Sequence, residues 1–329
     1  MAGDYLRFWG GRASYLPTTR PAARWFLALW GLSLSVAYAT SVVVTMLVVA
    51  AGGDQPENAV GDLVENGSVL GVLLTAVVLA PLLEEVAFRL PMSLRPWHVA
   101  IGAGAFVSLF LPGMLGVSPG QWLVGATNQA AASLVELGFG VAVAVGLGVT
   151  LSHLTPLGRS DHPLRISPRV RYAVVAVLTT VFAGAHLGNF AEFTWFLPAF
   201  IIPQVLVGMV LAYVRVTRSW WMGVGVHGLN NGVAVGFALS TRAATSDAAQ
   251  TLFGLGFLAM VSLLGLVAGG ALGIDLYRTW SSNQSPPHPS PWPPTHHTQR
   301  WPSHPTQQAH VHPPLSPAVP PNSAPWRSP

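Results

Sequence analysis

The sequence predicts an all-α polytopic membrane protein: a bundle of about eight transmembrane helices followed by a disordered C-terminal tail. Three observations carry this expectation. Of 329 residues, 51% are apolar and only 9% charged, against roughly 25% charged in soluble domains. The apolar residues gather in runs of about 17–25, the length that crosses a bilayer. Residues 281–329 hold 15 of the 28 prolines and 6 of the 11 histidines without apolar periodicity. Such a segment cannot bury enough surface to offset its ordering entropy.

The chain divides into a cytoplasmic N-terminal segment (1–24), a membrane domain (25–280) and the tail (281–329). Arg7, Arg12, Arg20 and Arg24 precede the first run, Trp25 to Gly52. Ala37-Tyr38-Ala39 resembles a signal-peptidase site, but the apolar run continues beyond it, which favours a retained anchor. An acidic loop follows with Asp54, Glu57, Asp62 and Glu65, then the run from Gly67 to Leu90 that carries Glu84, Glu85 and Arg89. Further spans are expected at Val99–Leu115, Asn128–Leu151, Tyr172–Leu187, Trp195–Tyr213, Trp221–Ser240 and Leu252–Ile274. Loops on one side carry Arg89/Arg95, then Arg159/Arg165/Arg169/Arg171, Arg215/Arg218 and Arg278; those opposite are acidic or nearly neutral. The positive-inside rule then places both termini in the cytoplasm, with a bacterial plasma membrane as the expected location.

Composition also excludes some functions. There is no cysteine, so no disulfide, thiolate nucleophile or Cys-ligated metal is available. All 16 basic residues are arginine and the net charge is +4. The arginines lie at the ends of apolar runs, which suits contact with the lipid bilayer and not with nucleic acid. The tail histidines at 296, 297, 304, 310 and 312 read as part of a solvated low-complexity segment.

A carboxylate at membrane depth costs roughly 2.5 kcal/mol or more and marks function by default. Glu84 and Glu85 point about 100° apart on a helix and need different partners. Glu85 stands four residues before Arg89, the favourable order for an ion pair, and reads as half of a structural brace. Glu84 is then the chemically available group. Phe182 and His186 end the fifth span, while His227 and Asn231 lie in the seventh; each pair is i,i+4 and shares one helix face. Gly223, Gly225 and Gly228 allow close backbone approach and room for a substrate beside the imidazole. Taken singly, a membrane histidine or a His/Asn pair is more often interhelical glue. Glu136 lies alone in the fourth span and stays outside the site, as do His98 and His153 at the membrane edges. A glutamate pair and two histidines from three spans of a charge-poor chain favour one shared polar site.

Two kinds of chemistry suit this set. Glu84, His186 and His227 could hold Zn²⁺ with an open fourth position. Alternatively Glu84 and His186 activate a water while His227 and Asn231 stabilise a tetrahedral oxyanion. Both are hydrolysis of an acyl bond by activated water.

The ordered motifs E-E-x-x-x-R (Glu84, Glu85, Arg89), F-x-x-x-H (Phe182, His186) and H-x-x-x-N (His227, Asn231) resemble the CPBP family. This is the Abi or type II CAAX prenyl protease-like group of intramembrane proteases. The resemblance spans residues 69–238. It implies an intramembrane endopeptidase acting on a membrane-associated protein or peptide, with Glu84 activating water and His186, His227 and Asn231 in the site. Members are described as metalloproteases, and a metal-free glutamate mechanism is also proposed. Two departures stand out. Leu90-Pro91 follows Arg89 where the family has Gly, so the helix is expected to end or kink there. The 92 residues between Arg89 and Phe182 hold an extra pair of spans.

Two other classes compete. A polytopic transporter also uses membrane Glu and His, but no inverted repeat is visible. A silent scaffold could recruit a partner through the Pro-rich tail. One geometric tension accompanies the peptidase reading. As drawn, Glu84 lies toward the cytoplasmic side and His186 toward the outer side, a depth mismatch on the order of 10 Å at 1.5 Å per residue. The site closes only if the glutamate helix runs past Arg89 or the fifth helix tilts or starts deeper.

Overall fold

A computed structural model describes residues 22–54, 59–115, 118–124, 129–154, 164, 166–190 and 194–284, with Tyr5, Phe8 and Trp9. The described residues are helical, with no strands among them. In chain order the helices are α1 (Ala22–Ala50), α2 (Ala59–Asn66), α3 (Val69–Ser93), α4 (Pro96–Leu109), α5 (Leu111–Leu115), α6 (Pro119–Val124), α7 (Gln129–His153), α8 (Pro168–Asn189), α9 (Leu197–Thr217), α10 (Trp220–Ala243) and α11 (Asp247–Gln284). Six of them (α1, α3, α7, α8, α9 and α11) are long and apolar enough to cross a membrane. Leucines, valines and phenylalanines such as Leu70, Leu134, Phe139, Val177 and Leu266 cover their outer faces, as lipid contact requires. The chain is an integral membrane protein.

The other two expected spans differ for physical reasons. α10 covers the expected Trp221–Ser240 and is 24 residues long, but His227, Asn230 and Asn231 lower its hydropathy. The run from Val99 to Leu115 breaks at Phe110 into a 14-residue helix and a short one; Pro112 has no N–H to give the Ser108 carbonyl four residues back, and its ring collides with it. The acidic loop is partly ordered as α2, whose Leu63 and Val64 pack against Val72, Val77 and Val235. Arg242 satisfies the carbonyls of Val64 and Gly67. Helix α11 runs through Gln284, so residues 281–284 are helical where the tail was expected to begin. The rest of the tail, its histidines and Glu192 lie outside the described residues. Tyr38 of the signal-like tripeptide sits inside α1, edge-on to Phe257 at 4.7 Å.

Serine caps start the helices that matter most. Ser68, Ser167 and Ser219 accept hydrogen bonds from the N–H groups of Gly71, Val170 and Met222, satisfying donors that a helix start leaves orphaned. Helix α3 stops at Leu94, which turns left-handed at φ 59°. It continues through Leu90-Pro91 as a tighter final turn, Leu90–Ser93, so the expected break comes one turn late. Its neighbours are α8, α9 and α10, with α4 packed on its last turns and α7 behind α4. In the α4–α7 seam the backbones touch: a Cβ on Gly104 would lie 2.4 Å from the Gly140 carbonyl oxygen.

Candidate active site

Two stretches of α3, Leu73–Leu79 and Glu85–Arg89, wind wider than a normal α-helix. Each ends shortly before a proline, Pro81 or Pro91. In a regular helix a proline ring collides with the carbonyl four residues back; a widened turn relieves this, and such turns recur at functional sites. In the second stretch the Leu90 N–H reaches back five residues to the Glu85 carbonyl. That carbonyl also accepts a hydrogen bond from Trp220 Nε1 at 3.2 Å, and the Arg89 carbonyl accepts one from Arg215 Nε at 3.0 Å. Side chains of α9 and α10 therefore hold the glutamate turn in place.

The two glutamates take different partners. Glu85 and Arg89 are both fully buried, with Glu85 Oε1 3.7 Å from Arg89 Nε. The Arg89 guanidinium lies 3.5 Å over the Phe182 ring, a cation–π contact strengthened by desolvation. Gly208 leaves room for this stack. Phe182 also meets the imidazoles of His186 and His227 edge-on, at centroid distances of 4.7 and 5.9 Å. The brace has a second function that the sequence did not disclose: Glu85 Oε1 is 3.2 Å from His227 Nδ1.

Glu84 keeps 14% of its side-chain surface exposed where Glu85 keeps none. Its Oε2 lies 3.4 Å from His227 Nε2 and 3.9 Å from His186 Nε2. The anticipated mismatch in depth is thus absent. The glutamate helix runs past Arg89 to Ser93, and α8 begins at Pro168, four residues before the expected Tyr172. Both are routes by which the site could close.

Hydrogen bonding fixes how the imidazoles face Glu84. The Phe182 carbonyl lies 2.9 Å from His186 Nδ1; a carbonyl only accepts, so Nδ1 carries the proton and neutral His186 turns a bare Nε2 to Glu84. The Glu85 carboxylate does the same to His227. Three acceptors then converge, and a proton, a proton-donating water or a cation must lie among them. The donor types suit zinc, and an imidazole held through its other nitrogen is the usual support for a metal ligand. The spacing does not suit it: among the described residues no three His, Asp or Glu side chains gather as a metal-holding group.

Asn231 is tied to α3. Its Nδ2 donates to the Ala76 carbonyl at 2.9 Å, which is the interhelical contact weighed above. The adjacent Asn230 donates to Ser33 of α1 at 2.6 Å. The glycines of α10 admit neighbouring helices and not a substrate: a Cβ on Gly223, Gly225 or Gly228 would stand 3.0–3.1 Å from Glu85 Oε2, the Phe26 ring or the Val77 carbonyl. Glu136 accepts a hydrogen bond from Ser118, and His98 pairs with Ser93 at 2.7 Å; both lie outside the site, as expected. Sequence reasoning missed Trp220, which reads as an interfacial aromatic, and Arg215, which reads as a loop charge. Neither carries a spacing signal. Compared with family models, curated proteins and solved structures, the chain matches none.

Proposed function

We propose that this chain is an intramembrane endopeptidase of the CPBP kind, acting on a membrane-associated protein or peptide with water activated by Glu84. The observation that carries this reading is the meeting of Glu84 Oε2 with the Nε2 atoms of His186 and His227, drawn from three helices. Glu84 takes a proton from water as its oxygen attacks the scissile carbonyl carbon. When the proton that must lie among the three acceptors sits on His227 Nε2, that N–H donates to the developing oxyanion, the role of a preorganised donor in a water-poor site. As the C–N bond breaks, the proton held by Glu84 passes to the leaving amine. His186 orients the water, and the Arg89–Phe182 stack holds the assembly together.

Counting α4 and α10 as crossings gives eight spans with both termini cytoplasmic, in a bacterial plasma membrane. A metal-dependent version of the same hydrolysis, with Zn²⁺ on Glu84, His186 and His227, is disfavoured by their spacing. Chelation with elemental analysis separates the versions: full activity without bound metal leaves the glutamate mechanism, and stoichiometric zinc required for turnover replaces it. The experiment for the function is cleavage of a labelled peptide library by the purified chain in detergent or liposomes. Defined peptide products support the peptidase. Flux of a small solute without cleavage favours a carrier instead.

A further inference from the structure

We propose that Asn231 is a positioning residue for Glu84, acting through the α3 backbone; this rests on the peptidase reading above. The argument starts from the first widened stretch. The Ala80 N–H bonds to the Thr75 carbonyl, five residues back. The next pair in that register is Pro81 with Ala76, and proline has no N–H to give. The Ala76 carbonyl is stranded at membrane depth, where an unpaired backbone group is costly. Asn231 Nδ2 takes it at 2.9 Å. Gly228, one turn earlier on α10, permits the approach, since a Cβ there would lie 3.1 Å from the Val77 carbonyl oxygen.

Two consequences follow from where this bond sits. Glu84 is three residues past Pro81, so the height and rotation of its carboxylate depend on how the turn from Ala76 to Pro81 closes. His227 is one turn before Asn231 on the same helix. A single side-chain bond therefore locks the helix of the base in register with the helix of the imidazole it faces.

The test is a mutant cycle on the full chain in liposomes, comparing wild type, Asn231→Ala, Pro81→Ala and the double variant. Removing the amide should lower kcat by about 10–100-fold, the scale of a small misplacement of a reacting group, with KM unchanged and Tm reduced. In the double variant the alanine that replaces Pro81 supplies the missing N–H, so kcat and Tm should return to the level of Pro81→Ala alone. A double variant with restored Tm but the low kcat of Asn231→Ala would overturn the proposal, because the amide would then be needed by the substrate. Undiminished kcat in Asn231→Ala would overturn it as well. If the wild type cleaves no peptide, the functional reading fails, yet the Tm cycle still decides the clamp: coupled effects support it and additive effects refute it.

Discussion

Among the described residues, Arg89 has no hydrogen-bond partner within reach of its guanidinium and no exposed surface, yet it sits beside a buried carboxylate and over an aromatic ring. Such a residue is held less by its own contacts than by the charge it compensates. Truncating one member of a buried ion pair strands the other, which typically costs about 3–5 kcal/mol, whereas replacing both by apolar residues costs much less. Arg89→Met should therefore destabilise the fold by about that amount, and Glu85→Met with Arg89→Met by less; thermal denaturation in detergent measures both. The double variant should nonetheless be a poor catalyst, because His227 loses the carboxylate that orients its Nδ1. Wild-type turnover in the double variant would show that Glu85 serves the fold alone.

The elements are placed by features of very different visibility. Helices α3, α8 and α10 follow from apolar length and serine caps, and the residues that meet in the site follow from i,i+4 spacing. Three things were not legible. The widened turns depend on Pro81 and Pro91 acting on carbonyls behind them, an effect with no periodic signature. The early start of α8 at Pro168 falls among Arg169 and Arg171, outside the apolar run. The division of labour between Asn230 and Asn231 is decided by which neighbouring helix each faces, and adjacent identical residues give no clue to that. The inserted pair α4 and α7 makes its own prediction. A Cβ on Gly104 meets backbone at 2.4 Å, whereas one on Gly113 meets nothing within 4 Å. Overpacking of this kind costs about 1–3 kcal/mol or more, so Gly104→Leu should lower Tm markedly and Gly113→Leu should not.

For the whole molecule, charge poverty and apolar run length gave the membrane class, and the helical bundle agrees with it. The number of crossings was harder to read because the helix that supplies His227 and Asn231 sacrifices hydropathy to do so. Topology is testable because the chain contains no cysteine. With both termini cytoplasmic, Asp54→Cys should react with a membrane-impermeant thiol reagent added outside, and Arg95→Cys only after the membrane is opened; the reverse pattern would invert the orientation. Truncation after Gln284 should leave peptide cleavage close to wild type, since the site lies wholly within α3, α8 and α10. Loss of function on truncation would favour the scaffold.

The most direct measurement is turnover of a cleaved peptide by Glu84→Gln beside wild type in the same liposomes, with Tm as the control for folding. The amide keeps the size of the side chain and loses the base, so the rate should fall on the order of 10³-fold or more while Tm stays near wild type. Wild-type turnover by a folded Glu84→Gln variant would contradict the account.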